Sequence, residues 1–182
     1  MLKTRVARNL AANRVLPCRG LIFDQNAAPV KDMRFGRFCS GYNGCGWIAV
    51  HNLLQLTGRG KDPAEVAADL ERHRGAVLGG LFGIWPGAVA RALKREGYAV
   101  TVCRRVKRFD EAVPEGGVFI LWYAHRRGMH YVAGRREKEG FVGYNVFRGD
   151  RGPEPLGPSL RGFLQRYRYR GLRLYVAERE KV

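Results

Sequence analysis

The residue in this sequence best suited to do chemistry is Cys45. It stands in Gly41-Tyr42-Asn43-Gly44-Cys45-Gly46-Trp47-Ile48-Ala49, where a glycine-bracketed turn gives way to apolar residues at helical spacing. Ala49, Leu53 and Leu56 recur, with Ile48, Val50 and Leu54 beside them. A cysteine in the first turn of a buried helix meets backbone N–H groups without partners and the positive end of the helix dipole. Both favour thiolate over thiol, so the pattern predicts a lowered thiol pKa. The same N–H groups can hold an oxyanion after sulfur attacks a carbonyl. The flanking glycines let a substrate approach the backbone. Taken alone, such a cysteine is more often a buried apolar residue, and a nucleophile also needs a base that titrates near neutrality. Four histidines are available. His51 lies along the same helix, away from its tip. His73 ends a polar helix. His125 falls in an expected loop, His125-Arg126-Arg127-Gly128. His130 opens a strand in Gly128-Met129-His130-Tyr131-Val132-Ala133, and a strand holds an imidazole rigidly, as a base requires.

Cys-Gly at a helix start, followed far downstream by Gly-x-His-Tyr-Val on a strand, resembles the papain-like cysteine peptidases. Within them it is most similar to the bacterial peptidases that cut leader peptides after a double glycine, the bacteriocin-processing type. The resemblance spans roughly residues 39 to 150. It implies a Cys-His-Asn site. Asn145, in Gly143-Tyr144-Asn145-Val146-Phe147, matches the residue that orients the imidazole from the next strand; the leader peptidases usually have Asp there. Asp150 is a second candidate, set back by the glycines around it. Relatives carry a Gln about six residues before the cysteine as an oxyanion donor, and here that position is Cys39. Asn43 is the amide assigned to that task, with Gln25 as another, although Asn43 also suits a turn. The activity implied is a thiol hydrolase, a peptidase or amidase, acting on a peptide-like substrate without metal or organic cofactor. Acyl transfer uses the same acyl-enzyme and stays open.

The elements that must position these residues are legible in part. Gly58 closes the Cys45 helix. Asp62-Pro63-Ala64-Glu65 is a helix start, with Asp as N-cap and Pro in the first turn, and that helix runs to about His73. Gly79, Gly80 and Gly83 make a loop, and Pro86 opens a third helix that stops at Gly97. Tyr98–Cys103 reads as a strand. Val118–Tyr123 is a continuous apolar run, as in a central strand. Met129–Ala133 and Phe141–Phe147 flank a charged turn at Arg135–Gly140 and read as a hairpin. A short helix over Pro158–Tyr167 and a strand through Leu172, Leu174 and Val176 follow. The fold class is therefore α+β, papain-like by resemblance, with N-terminal helices packed on a C-terminal antiparallel sheet. Residues 1–38 form an N-terminal extension or lead-in, and 39–182 the papain-like domain.

The charge balance bounds the partners. Lys and Arg number 33 against 16 Asp and Glu, a net +17, which favours acidic partners. A peptide or protein substrate, acidic or Gly-rich, suits that field. Nucleic acid is a less favoured partner: Arg161–Arg173 interleaves arginines with aromatics, yet a surface helix and edge strand in an Arg-rich chain look the same. Two non-hydrolase readings stand beside the first, a catalytically inert papain-like module binding a peptide or acidic partner, and a basic nucleic-acid-binding protein. The cysteines show no CxxC pair, which argues against structural zinc. With no secretory pattern and no apolar run long enough to span a membrane, the expectation is a cytoplasmic protein with reduced thiols.

Overall fold

A computed structural model describes residues 2–146 and 152–179. Helices come first: α1 (Leu2–Arg14), a two-residue-per-strand hairpin β1 (Arg34–Phe35) and β2 (Phe38–Cys39), then α2 (Ser40–Asn43), α3 (Cys45–Leu56), α4 (Pro63–Arg72) and α5 (Pro86–Arg95). The strands follow: β3 (Tyr98–Cys103), a short α6 (Phe109–Ala112), β4 (Val118–His125), β5 (Gly128–Glu137), β6 (Gly140–Tyr144), β7 (Glu154–Gly157), α7 (Leu160–Arg166) and β8 (Arg170–Arg179). Strands β3 to β8 make one antiparallel six-stranded sheet in the order β3-β8-β4-β5-β6-β7. The architecture is α+β.

The apolar run in β4 is continuous because both faces of the sheet are covered. Val118 and Ile120 join the core built on α3, α4 and α5, with Trp47, Ile48, Leu53 and Leu93. Phe119, Leu121 and Tyr123 point the other way, into a second core with Phe109, Leu160 and Phe163. Helix α3 is buried along most of its length and packs chiefly on β5. The capping chemistry at α4 is as the sequence predicts: the Asp62 carboxylate accepts from Ala64 N–H at 2.7 Å, and Pro63 is the first helical residue.

The lead-in is tied into the same core. Ile22, Val30, Met33 and Phe35 are buried there. Asn52 on α3 brackets Ile22, donating to its carbonyl at 2.7 Å and accepting from its N–H at 2.8 Å. His51 bonds Gly20 O at 2.8 Å through Nε2; since a carbonyl only accepts, that nitrogen is the donor. Helix α1 docks through buried Glu71, which accepts from Arg5 (2.6 Å), Asn9 (3.0 Å) and Gly36 N–H (3.1 Å).

Three local expectations change. The His125–Gly128 stretch is no open loop: His125 ends β4 and pairs with Gly128, so only Arg126 and Arg127 lie outside the ladder. The second hairpin turns at Lys138-Glu139, and Arg135–Glu137 are strand residues. Strand β6 ends at Tyr144, so Asn145 follows the strand instead of sitting in it, with φ at 62°. Asn is among the few residues that adopt this left-handed conformation readily. Phe147 and Asp150 lie outside the described residues.

Candidate active site

Cys45 is the first residue of α3, but its helix does not start in the open. Gly44 has helical angles (φ −75°, ψ −18°) and bonds Ser40 O at 2.8 Å, so α2 runs almost directly into α3. Both flanking glycines are demanded by packing. A Cβ on Gly44 would lie 2.6 Å from Ser40 O, and one on Gly46 would lie 2.8 Å from the Ile84 side chain. Their presence is therefore explained without a substrate approaching the backbone.

The half-buried Cys45 side chain and the half-buried His130 ring line one cavity of ≈670 Å³. Strand β5 connects them: the backbone N–H of Tyr131, the residue after His130, faces the Cys45 sulfur. Tyr131 turns its own side chain to the helix-side core, where it stacks on Trp122. His130, one residue earlier, sits edge-on to Tyr123 with ring centroids 5.9 Å apart. Its Nε2 bonds the backbone carbonyl of Asn145 at 2.6 Å. A carbonyl only accepts, so Nε2 carries the proton and Nδ1 keeps the lone pair of the neutral ring.

Asn145 thus meets His130 through its main chain. Its side chain does something else: Oδ1 accepts from Gln25 N–H at 2.9 Å, and Nδ2 donates to Gln25 Oε1 at 3.4 Å. Gln25 also lines the cavity and donates through Nε2 to Gly41 O at 3.2 Å. One of its two carboxamide N–H bonds is thereby used among the described residues. Asn43, assigned the oxyanion role from sequence, faces away. Its Nδ2 donates to Phe35 O (3.0 Å) and Gly80 O (2.9 Å) in the buried junction between the β1–β2 hairpin and the 79–80 loop. Gln25 is the carboxamide on the cavity. Its place follows from Asn52 and His51 holding residues 20 to 22 on α3, a contact across the fold that spacing alone does not announce.

Electrostatics differ from the sequence expectation. Burial pushes the Cys45 thiol up to about 11, against the opposing pull of the N–H groups of Tyr131, Gly46 and Cys45 itself. Burial also pushes the His130 imidazole down to about 4, with the Asn145 carbonyl opposing and His125 adding to the fall. The lowered thiol expected from a helix start is overridden, because an uncharged carbonyl and three amides do not replace the water lost by two charged forms. The resting pair is neutral thiol and neutral imidazole.

Sequence reasoning did not assign the rest of the cavity wall. Tyr123 and Tyr169 stack at 4.8 Å and 11°, and Tyr167 stacks on Tyr169 at 5.5 Å and 22°. Arg126, Arg127 and Arg168 line the same opening. The basic-aromatic stretch 161–173 was the signal, and the structure brings its Tyr167–Tyr169 part to the cavity.

All four cysteines are free thiols. Among the described residues, no three His, Cys, Asp or Glu side chains gather to hold a metal ion, and no helix is long and apolar enough to cross a membrane. No family model and no curated protein matches this sequence.

Proposed function

We propose that the chain is a papain-like thiol hydrolase that cleaves a peptide or amide bond, with Cys45 as nucleophile, His130 as base and Asn145 as the residue that orients the ring through its carbonyl. One observation carries this reading: the thiol at the start of α3 and an imidazole whose Nε2 is held by the Asn145 carbonyl line one cavity, with the Tyr131 N–H facing the sulfur. In this reading, Cys45 Sγ attacks the carbonyl carbon as the S–H proton passes to His130 Nδ1. The oxyanion is held by the Cys45 N–H and the remaining Gln25 N–H. The C–N bond breaks as His130 returns the proton to the leaving amine. Water then attacks the thioester, giving up a proton to His130, and the thiol is restored. The neutral resting pair fits attack and proton transfer proceeding together better than a preformed ion pair.

The test is to incubate the full chain with a peptide mixture digested from whole proteins and read new termini by mass spectrometry. Cleavage that vanishes in Cys45→Ala and in His130→Ala supports the reading; cleavage unaltered in Cys45→Ala refutes it. The neutral pair also favours a second reading, an inert module of the same build that binds a peptide. It predicts no cleavage by the wild-type chain, with peptide binding intact in Cys45→Ala.

A further inference from the structure

The opening of the Cys45 cavity is strongly cationic. Arg126 and Arg127 form the tip of the β4–β5 hairpin, and Arg168 reaches the same opening from the turn after α7. No Asp or Glu lines it among the described residues. Among the described residues none of these three arginines takes part in an ion pair, whereas Arg5, Arg14 and Arg95 each have one. Three guanidinium groups around one concavity, with no carboxylate beside them among the described residues, make a site for anions.

Arg168 supplies an independent observation. Helix α7 ends with Arg168 N–H on Gln165 O at 3.1 Å and Tyr169 N–H on Leu164 O at 2.8 Å. This pair of bonds places Arg168 where helices ordinarily put glycine, and its φ is 54°. A side chain is strained there; Arg74 ends α4 with the same pair of bonds and φ of 55°, and of these two arginines Arg168 is the one that lines the cavity. Strain of this kind gathers at ligand-binding positions.

We propose that this opening is a carboxylate-binding subsite, in which Arg126, Arg127 and Arg168 hold the acidic side chains of a peptide whose scissile bond lies at Cys45. The subsite rests on the hydrolase reading for that last clause only. Guanidinium groups match carboxylates with paired, charge-assisted hydrogen bonds. The aromatic wall does not suit nucleic acid equally well. Tyr169 stacks on Tyr123 and on Tyr167, so its ring is engaged within the protein instead of being laid out for bases.

The experiment measures binding without turnover. The whole chain carrying Cys45→Ala is titrated with a fluorescent glutamate-rich peptide, with the same peptide carrying Gln for Glu, and with a single-stranded oligonucleotide at the same salt. The glutamate peptide should bind roughly 10- to 100-fold tighter than its glutamine counterpart. Replacing Arg126 and Arg127, both exposed in the β4–β5 turn, by Gln should remove most of that preference. Arg168→Gly should weaken the glutamate peptide about tenfold while leaving the thermal midpoint no lower, an outcome a structural role would not give. Equal binding of the two peptides, an unaltered affinity in Arg168→Gly, or tighter binding of the oligonucleotide overturns the subsite. Glutamate-selective binding in a wild-type chain that cuts nothing removes the hydrolase reading and leaves the subsite standing. Cleavage of neutral peptides with no glutamate preference does the reverse.

Discussion

Alkylation of Cys45 by iodoacetamide tests the electrostatics of the site directly, because only the thiolate reacts. An ordinary exposed thiol with a pKa near 8.5 is about one-tenth ionised at pH 7.5. With its thiol at about 11, Cys45 is ionised at that pH to roughly three parts in ten thousand, a deficit of about 300-fold. The more basic thiolate is the better nucleophile, and a Brønsted slope of about 0.4–0.5 over this interval returns roughly 10- to 18-fold. Cys45 should therefore react about 17- to 30-fold more slowly than an exposed thiol at pH 7.5. Exposed Cys39 is the internal reference within the same molecule. A short pulse of reagent, quenching and mass spectrometry of the two cysteine peptides gives the ratio. It should narrow as pH rises to about 10, because the Cys45 thiolate fraction grows over that range, and His130→Ala should change it little. A Cys45 rate that is flat between pH 5 and 8, or faster than that of Cys39 at pH 6, would mean a thiolate–imidazolium pair and refute the argument from burial.

Stability should fall on acidification. His130 is neutral when folded down to about pH 4 and takes a proton near 6.5 when unfolded. The unfolded state thus binds more protons across that window, and stability present above pH 6.5 is lost as pH drops through 4, by about 3 kcal/mol; urea titrations should show a shallower decline in His130→Gln. Asn145→Gly keeps both the left-handed backbone and the carbonyl on His130, so it should retain more activity than Asn145→Ala and be more stable by about 1 kcal/mol, read as the shift in the denaturation midpoint. Glu71→Ala strips the buried partner of Arg5, Asn9 and Gly36 N–H and should cost about 3–5 kcal/mol, measured by urea unfolding.

Helices α3, α4 and α5 were legible in the sequence because their signals are local, whereas the one-turn helices α2 and α6 were not. Asp62-Pro63 caps and opens α4, Pro86 opens α5, and Gly58 and Gly97 close their neighbours with positive φ. Strand β4 was legible from an unbroken apolar run. Strand β7 was not: it is four residues long, contains Pro155, and survives only because it lies at the edge of the sheet. The tight turn at Arg126-Arg127 carries no residue that commonly marks one before Gly128. The roles within the site were harder to read than its members. Cys45, His130 and Asn145 do meet at one cavity, but the Asn145 side chain bonds Gln25, a residue 120 positions away in the chain. The direction of both titration shifts is set by burial under α3, β5 and their neighbours, which no spacing of residues encodes.

The position of β8 has a consequence for how the molecule is made. The last of the eight strands lies between β3 and β4, and no pairing between those two closes the sheet without it. A nascent chain emerging from the ribosome through β7 carries every described residue of the Cys45 cavity except Tyr167, Arg168 and Tyr169, yet two strand edges remain open. Such edges are where partly made β structure sticks to other chains. Closure of the sheet must therefore await β8, and dilution or a holding chaperone during synthesis should raise the yield of folded protein.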